Sequence, residues 1–220
     1  MRWDETYTDP SSDRRKLLAQ QMLFRPGTAV DFMRALPKAG APGSVWNYST
    51  GETYVLGAVV EAATKKPLST YLAEKIWKPA GMKRDASWWT ESTGGMTLAG
   101  GGLAATLRDY GRFGLVAASG GMVAGRRIVP DDWFSQAGAP HQIGGKQVDY
   151  GYMWWIPDQS DPINKDAFCA IGIFGQYIYV NPREHLVVVA LSARSKPTSE
   201  ARLQLNDFAF FAAVARALHD

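Results

Sequence analysis

A single cysteine, Cys169, rules out an internal disulfide and a cysteine-built metal site in this 220-residue chain. Histidine is almost as scarce. His141, His185 and His219 stand far apart, and no His/Asp/Glu spacing suits a metal, so no metal or other cofactor is expected. Neither sign of charge dominates: 24 Lys and Arg against 21 Asp and Glu leave +3. The basic residues are scattered, so no nucleic-acid partner is expected. Their one tight cluster, Arg14-Arg15-Lys16 beside Asp13, reads as a solvated face. No apolar run reaches the ~18 residues of a membrane-crossing helix, so no membrane partner is expected either. The opening Met1-Arg2-Trp3-Asp4-Glu5-Thr6-Tyr7 lacks the charged and apolar regions of a signal peptide and reads like the middle of a domain.

What is present is an ordinary globular composition, 46% hydrophobic and 20% charged, with eight Trp and nine Tyr. Helical patterns come first. Ser12 or Asp13 caps a helix through Leu17 and Met22 that stops at Arg25-Pro26-Gly27, and Thr28 with Asp31 opens another through Met33. A third runs from about Glu52 to Thr64, with Val55, Leu56, Val59, Val60 and Ala63 on one face. Ser69 is expected to cap a fourth through Ile76, and Thr106 with Asp109 opens a fifth through Val116. Pro130 starts a short helix through Trp133. From about Asp149 the pattern turns to strands: an extended Tyr150–Ile156, then Gln176–Val180 and Leu186–Leu191 around the turn Asn181-Pro182-Arg183-Glu184. A helix of about 20 residues follows Pro197, with Leu203, Phe211, Val214 and Leu218 as its stripe. The expectation is an α+β chain with an antiparallel sheet of two or three strands, a mainly helical region over 1–145, and strands with a C-terminal helix over 146–220.

Four stretches carry a stronger signal. Pro42-Gly43-Ser44-Val45-Trp46-Asn47-Tyr48-Ser49-Thr50 leads into the helix with Tyr54 and Gly57. Tyr71-Leu72 runs on to Ile76-Trp77-Lys78-Pro79-Ala80-Gly81-Met82. Gly100-Gly101-Gly102-Leu103 precedes Thr106-Leu107-Arg108-Asp109. Ala170-Ile171-Gly172-Ile173-Phe174-Gly175-Gln176 opens the hairpin. In this order they resemble the serine β-lactamase and D,D-peptidase superfamily, which also holds esterases. The Ile-Gly-Ile-x-Gly-Gln strand and the Tyr-x-Ser/Thr loop are most similar to its 6-aminohexanoate-dimer (nylon-oligomer) hydrolase branch.

The resemblance implies a β-lactamase/transpeptidase-like fold and acyl transfer from a small amide or ester. A serine attacks the carbonyl, a neighbour takes its proton, and backbone N–H groups hold the oxyanion. Tyr48 falls on the family tyrosine that handles this proton, and a phenol with a free pKa near ~10 needs nearby cations to serve as a base. The N–H of Ile173, beside Gly172, falls on the strand half of the oxyanion hole. Thr50 stands where many relatives have Asn, Phe174 where the nylon-oligomer branch has His, and Ala170 at the place of a cation. These replacements point away from a β-lactam and toward a more apolar acyl group. Trp154 is a candidate cleft wall. The family nucleophile lies in Ser-x-x-Lys, and no serine of this chain has Lys three residues on. The expectation is therefore a fragment whose nucleophile and first strands lie upstream, with an incomplete sheet. Such a chain would be inactive alone and would self-associate through an uncovered C-terminal sheet and helix layer. The alternative is a binding or scaffold protein that has lost catalysis.

Overall fold

The computed structural model describes residues 1–197 and 206–218. They form two compact units, which the chain enters more than once.

The first unit comprises Met1–Lys78, Asp85–Ala105 and Ile143–Gly145. Four helices build it: Asp13–Gln21 (α1), Thr28–Ala35 (α2), Thr50–Thr64 (α3) and Leu68–Leu72 (α4), the last continued by a π turn over Ala73–Trp77. Ser12 and Ser49 cap α1 and α3 by accepting from the N–H of Arg15 and Glu52, which removes one orphan donor at each helix start. Ser69 caps nothing. The α4 cap is Pro67, and the carboxylate of Glu61 takes the Leu68 N–H at 2.9 Å instead. The core is Trp3, Leu17, Ala29, Met33, Tyr54 and Leu98. Leu17 and Met33 are fully buried, and each such side chain contributes about 1.5–3 kcal/mol of transfer free energy. Ser87–Trp88 (β1) pairs antiparallel with Leu103–Ala104 (β2), so the glycine run Gly100–Gly102 lies just before the second strand of a ladder.

The second unit comprises Pro79–Arg84, Thr106–Gln142 and the described part of Lys146–Asp220. It holds the helices Leu107–Ala118 (α5), Trp133–Ala137 (α6) and Asp207–Arg216 (α7). Its short strands Met122–Val123 (β3) and Arg126–Arg127 (β4) make a tight hairpin, and His141–Ile143 (β5) and Lys146–Val148 (β6) flank Gly144-Gly145. Then come Tyr150–Gly151 (β7), Trp154–Trp155 (β8), Phe168–Gly172 (β9), Gln176–Asn181 (β10) and Leu186–Ala190 (β11). The last five form one antiparallel sheet in the order β11-β10-β9-β8-β7. Among the described residues the sheet thus has five strands rather than two or three. One extra strand arises because Tyr150–Ile156 is not a single extended strand: Tyr152 and Met153 take positive φ, and the chain doubles back to pair Tyr150 with Trp155; the other is β9, which pairs with both β8 and β10.

A helix packs on each face of β9–β11, while every residue of β11 stays partly exposed. On one face α5 lies so close that a Cβ on Gly114 would sit 2.4 Å from Val187 and 3.2 Å from Ile178, so only glycine fits. On the other face Phe211 of α7 packs on Tyr177 and Tyr179, whose ring centroids are 5.4 and 5.3 Å away, and Leu186, Val188 and Ala190 join them. Among the described residues, strand β11 ends the sheet order and is an edge strand. The C-terminal helix is described over Asp207–Arg216, with Asn206 as its cap; Leu203 lies outside the described residues.

Candidate active site

The tyrosine loop and the β9–β10 turn belong to different units, and each has its own geometry.

In the first unit the loop ends where α3 begins. Asn47 anchors it by donating from Nδ2 to the carbonyl of Trp3 at 3.0 Å. Ser49 closes it as the α3 cap, and Tyr48 lies half-buried between them. Beneath the loop is a carboxylate that sequence reading did not single out. Glu5 accepts from the Thr50 N–H at 2.8 Å, from the Thr50 hydroxyl and from the Trp3 indole N–H, and it is hydrogen-bonded to Tyr7. Arg14 stands 3.8 Å from it through Nε. The Arg14 side chain is only 15% exposed, so one member of the Arg14-Arg15-Lys16 cluster turns inward rather than forming a solvated face. A buried ion pair costs desolvation of both partners and holds only when further hydrogen bonds compensate, which the bonds to Glu5 do.

This surrounding fixes the protonation of Tyr48. Burial, then the Glu5 charge, raises its pKa above the ordinary phenol value; Arg14 opposes them without reversing the sign. Tyr7 is pushed up in the same way, by burial first and Glu5 second, and Tyr54 by burial. The cation that the sequence reading required is therefore there, as Arg14, but it is outweighed. At neutral pH Tyr48 carries its proton. Thr50, assigned to substrate on sequence, is buried and commits both its N–H and its hydroxyl to Glu5, so it braces the site rather than facing a ligand. The glycine turn packs behind it: a Cβ on Gly100 would meet Thr50 and the Tyr54 ring, each at 2.8 Å.

In the second unit Gly172 ends β9, and Ile173, Phe174 and Gly175 make the turn to β10. Ile173 is a turn residue just past the strand and not a rung of the ladder, whose last pair is Gly172 with Gln176. The turn is firmly braced. The Phe174 N–H donates to Gln176 Oε1 at 3.2 Å, and its carbonyl accepts from the Arg194 N–H and the Ser192 hydroxyl, both at 3.1 Å. Arg194 is held in turn by a two-pronged pair with Asp207, at 2.7 and 3.0 Å. Phe174 is 39% exposed at the tip. Trp154 is misassigned as a cleft wall. It is 7% exposed, stacks on Phe113 at 6.2 Å and meets Phe168 edge to face at 4.9 Å. Its place on the strand next to β9 turns it into the core.

Tyr48 and Thr50 thus share one cluster with Glu5, Tyr7 and Arg14, while Gly172, Ile173 and Phe174 share a braced turn. Glu5 and Arg14 were missed because nothing in Asp4-Glu5 or Arg14-Arg15 distinguishes the charge that is buried from its exposed neighbour. Among the described residues, no group of His, Cys, Asp and Glu could hold a metal ion.

The Beta-lactamase family model matches residues 3–209. The chain is 28% identical over 210 residues to the 6-aminohexanoate-dimer hydrolase of Paenarthrobacter ureafaciens, covering 89% of this chain and 52% of that protein. It is 32% identical over 136 residues to a D-aminopeptidase of Brucella anthropi, covering 57% of this chain and 26% of that one. A Bacillus anthracis structure named as a 6-aminohexanoate-dimer hydrolase superposes with a TM-score of 0.78 at 25% identity, over 98% of this chain and 57% of its own. A β-lactamase structure from Mycobacterium bovis, 20% identical with a TM-score of 0.59, shares the fold over 99% of this chain and 75% of its own. The chain spans about half the length of the first of these curated relatives.

Proposed function

The chain belongs to the Beta-lactamase family, and from that premise we propose that it forms part of a serine hydrolase transferring an acyl group from a small amide or ester to water. The observation that carries this reading is the Tyr48 cluster: a phenol held by a capped, hydrogen-bonded loop, with a buried carboxylate and a guanidinium beside it. Because Tyr48 is protonated, it suits delivery of a proton to the leaving nitrogen or oxygen. Withdrawing the serine's proton then falls to the lysine of a Ser-x-x-Lys segment, which none of the 220 residues supplies and which the reading places outside them. The Ile173 N–H takes the role of an oxyanion donor, a role in which the loss of one donor costs ~10²–10³ in rate. An exposed Phe174 favours an apolar acyl group, and the relation to the 6-aminohexanoate-dimer hydrolase favours a linear amide over a β-lactam.

Two measurements test the reading. The 220-residue chain alone should hydrolyse p-nitrophenyl esters no faster than a heat-killed control, since loss of a catalytic serine costs ~10⁶ in rate. Acylation of one of its serines, seen by intact mass after a fluorophosphonate, would overturn the placement of the nucleophile. In a longer protein carrying Ser-x-x-Lys ahead of this segment, Tyr48→Phe should lower kcat by roughly 10²–10⁴ with an unchanged melting temperature. An unchanged kcat with lost stability would make Tyr48 structural and leave the binding-protein reading.

A further inference from the structure

A cavity of about 340 Å³ opens in the first unit, and Leu18, Met22, Phe24, Trp89 and Leu98 line it with the Gly100–Gly102 turn. Its walls are largely apolar, and the polar side chains behind them are closed off. Arg14 Nε and Nη1 and Gln21 Nε2 have essentially no accessible surface. Arg14 Nε stands 3.8 Å from Glu5, Gln21 is hydrogen-bonded to Tyr54, and the Thr90 hydroxyl donates to the Ser92 carbonyl at 2.8 Å. Three of the walls are large side chains that the fold leaves in solvent: Met22 is 60% exposed, Phe24 64% and Trp89 65%. Large apolar groups gathered on a concave surface mark a binding surface rather than a core. Phe24 adds a second sign. It follows α1 with φ 50°, in the left-handed region that glycine ordinarily fills at a helix end, and its N–H donates to the Gln21 carbonyl at 3.0 Å. A phenyl group there strains the backbone yet joins no core cluster, so packing does not account for it. Trp89 is fixed by a close approach. A Cβ on Gly102, whose φ is 77°, would lie 2.8 Å from the indole Cγ, and the Gly102 carbonyl accepts from the Trp89 N–H at 3.2 Å.

We propose that this cavity binds a small uncharged aromatic compound, whose ring rests on Trp89 and Phe24 while Leu18, Met22 and Leu98 enclose it. The lining selects the class. An occupant meets hydrocarbon, so a charged group would lose its hydration without gaining a partner, whereas an apolar body gains from leaving water. Among apolar bodies, an aromatic ring gains further from the edges and faces of Trp and Phe and from the Met22 thioether. The volume stands at the small end of ligand pockets, ~300–1,000 Å³, which suits one or two rings. A protein partner needs a far larger contact than this concavity offers. Gly101 has open space before it, so the cavity is reachable from solvent. The site is independent of any acyl transfer by the chain.

The test is a titration of the ¹⁵N-labelled chain with matched probes, followed by backbone amide shifts. Phenylethanol should saturate shifts at Leu18, Met22, Phe24 and Gly100–Gly102. Phenylacetate, which carries a charge, should bind at least about tenfold more weakly, and cyclohexylethanol, which lacks the aromatic face, at least about threefold. Phe24→Gly should weaken phenylethanol about tenfold while the melting temperature holds or rises, because glycine relieves the left-handed strain. Met22→Glu changes an exposed position, sets a carboxylate on the wall and should also weaken phenylethanol at least about tenfold. No saturable shift in the parent chain, shifts spread over both units, or equal binding of phenylacetate would each overturn the site. So would phenylethanol affinity unchanged in either variant, or a Phe24→Gly chain that loses stability along with affinity.

Discussion

Burial first and the Glu5 charge second raise the pKa of both Tyr7 and Tyr48, and the Glu5 oxygens hold the start of α3. Glu5→Gln keeps the shape and removes the charge. Phenolate absorbance at 295 nm should therefore begin to rise at lower pH in this variant than in the parent chain. A superposable titration would mean that burial alone protects the phenols. The sign of the linkage follows from the same shifts. A tyrosine whose folded pKa exceeds its unfolded value of ~10 contributes stability that is complete below pH ~10 and erodes as pH climbs through the folded pKa. The first unit should thus lose stability in alkali, and Tyr7→Phe should be less alkali-sensitive, as followed by circular dichroism against pH. The loop around Tyr48 and the turn at Ile173 were marked in the sequence by their motifs. Glu5 and Arg14 were not, because burial of a charge depends on neighbours brought from elsewhere in the chain.

At the level of elements, α5 is secured at its start by a carboxylate. Asp109 accepts from the N–H groups of Lys83 and Arg84 at 2.8 and 3.1 Å, from the Thr106 hydroxyl and from Arg112, which holds its pKa at about 2. Thr106 caps the helix by accepting from the Asp109 N–H, and the Asp109 carboxylate fastens the turn after Gly81 to it. Because the folded pKa lies below the unfolded one, this contribution is present above pH ~4 and disappears as pH falls toward 2. Asp109→Asn should lower the melting temperature by several degrees at pH 7 and much less at pH 2.5, where the parent carboxyl is being protonated as well. Equal effects at both pH values would show that shape, not charge, matters there. The helix start itself could be read from Thr106 and Asp109, but the partners at Lys83 and Arg84 could not, since no local pattern links a turn to a helix more than 20 residues away.

For the whole chain, association is the open physical consequence. α5 and α7 pack on β9–β11, yet β11, a run of Leu186-Val187-Val188-Val189-Ala190, stays partly exposed along its length and ends the sheet of the described residues. Strands of that kind pair with one another when no charge or proline interrupts them. The expected outcome is concentration-dependent self-association of the 220-residue chain through this edge, visible by light scattering and reduced when Val189→Lys puts a charge on it. A monodisperse monomer at high concentration would mean that the edge is protected.

The sequence alone determined the family, the order of helices before strands, the caps at Ser12 and Thr106 and the tyrosine and glycine motifs, because these depend on local hydrogen bonding and on short patterns that survive at low identity. Only the tertiary structure decided that Trp154 is core, that Thr50 serves Glu5, that Arg14 is buried and that Tyr150–Ile156 folds back on itself. The reason is common to all four. Each outcome turns on which groups distant parts of the chain place around a residue, and that surrounding, not the residue type, sets its burial, its hydrogen-bond partners and its charge.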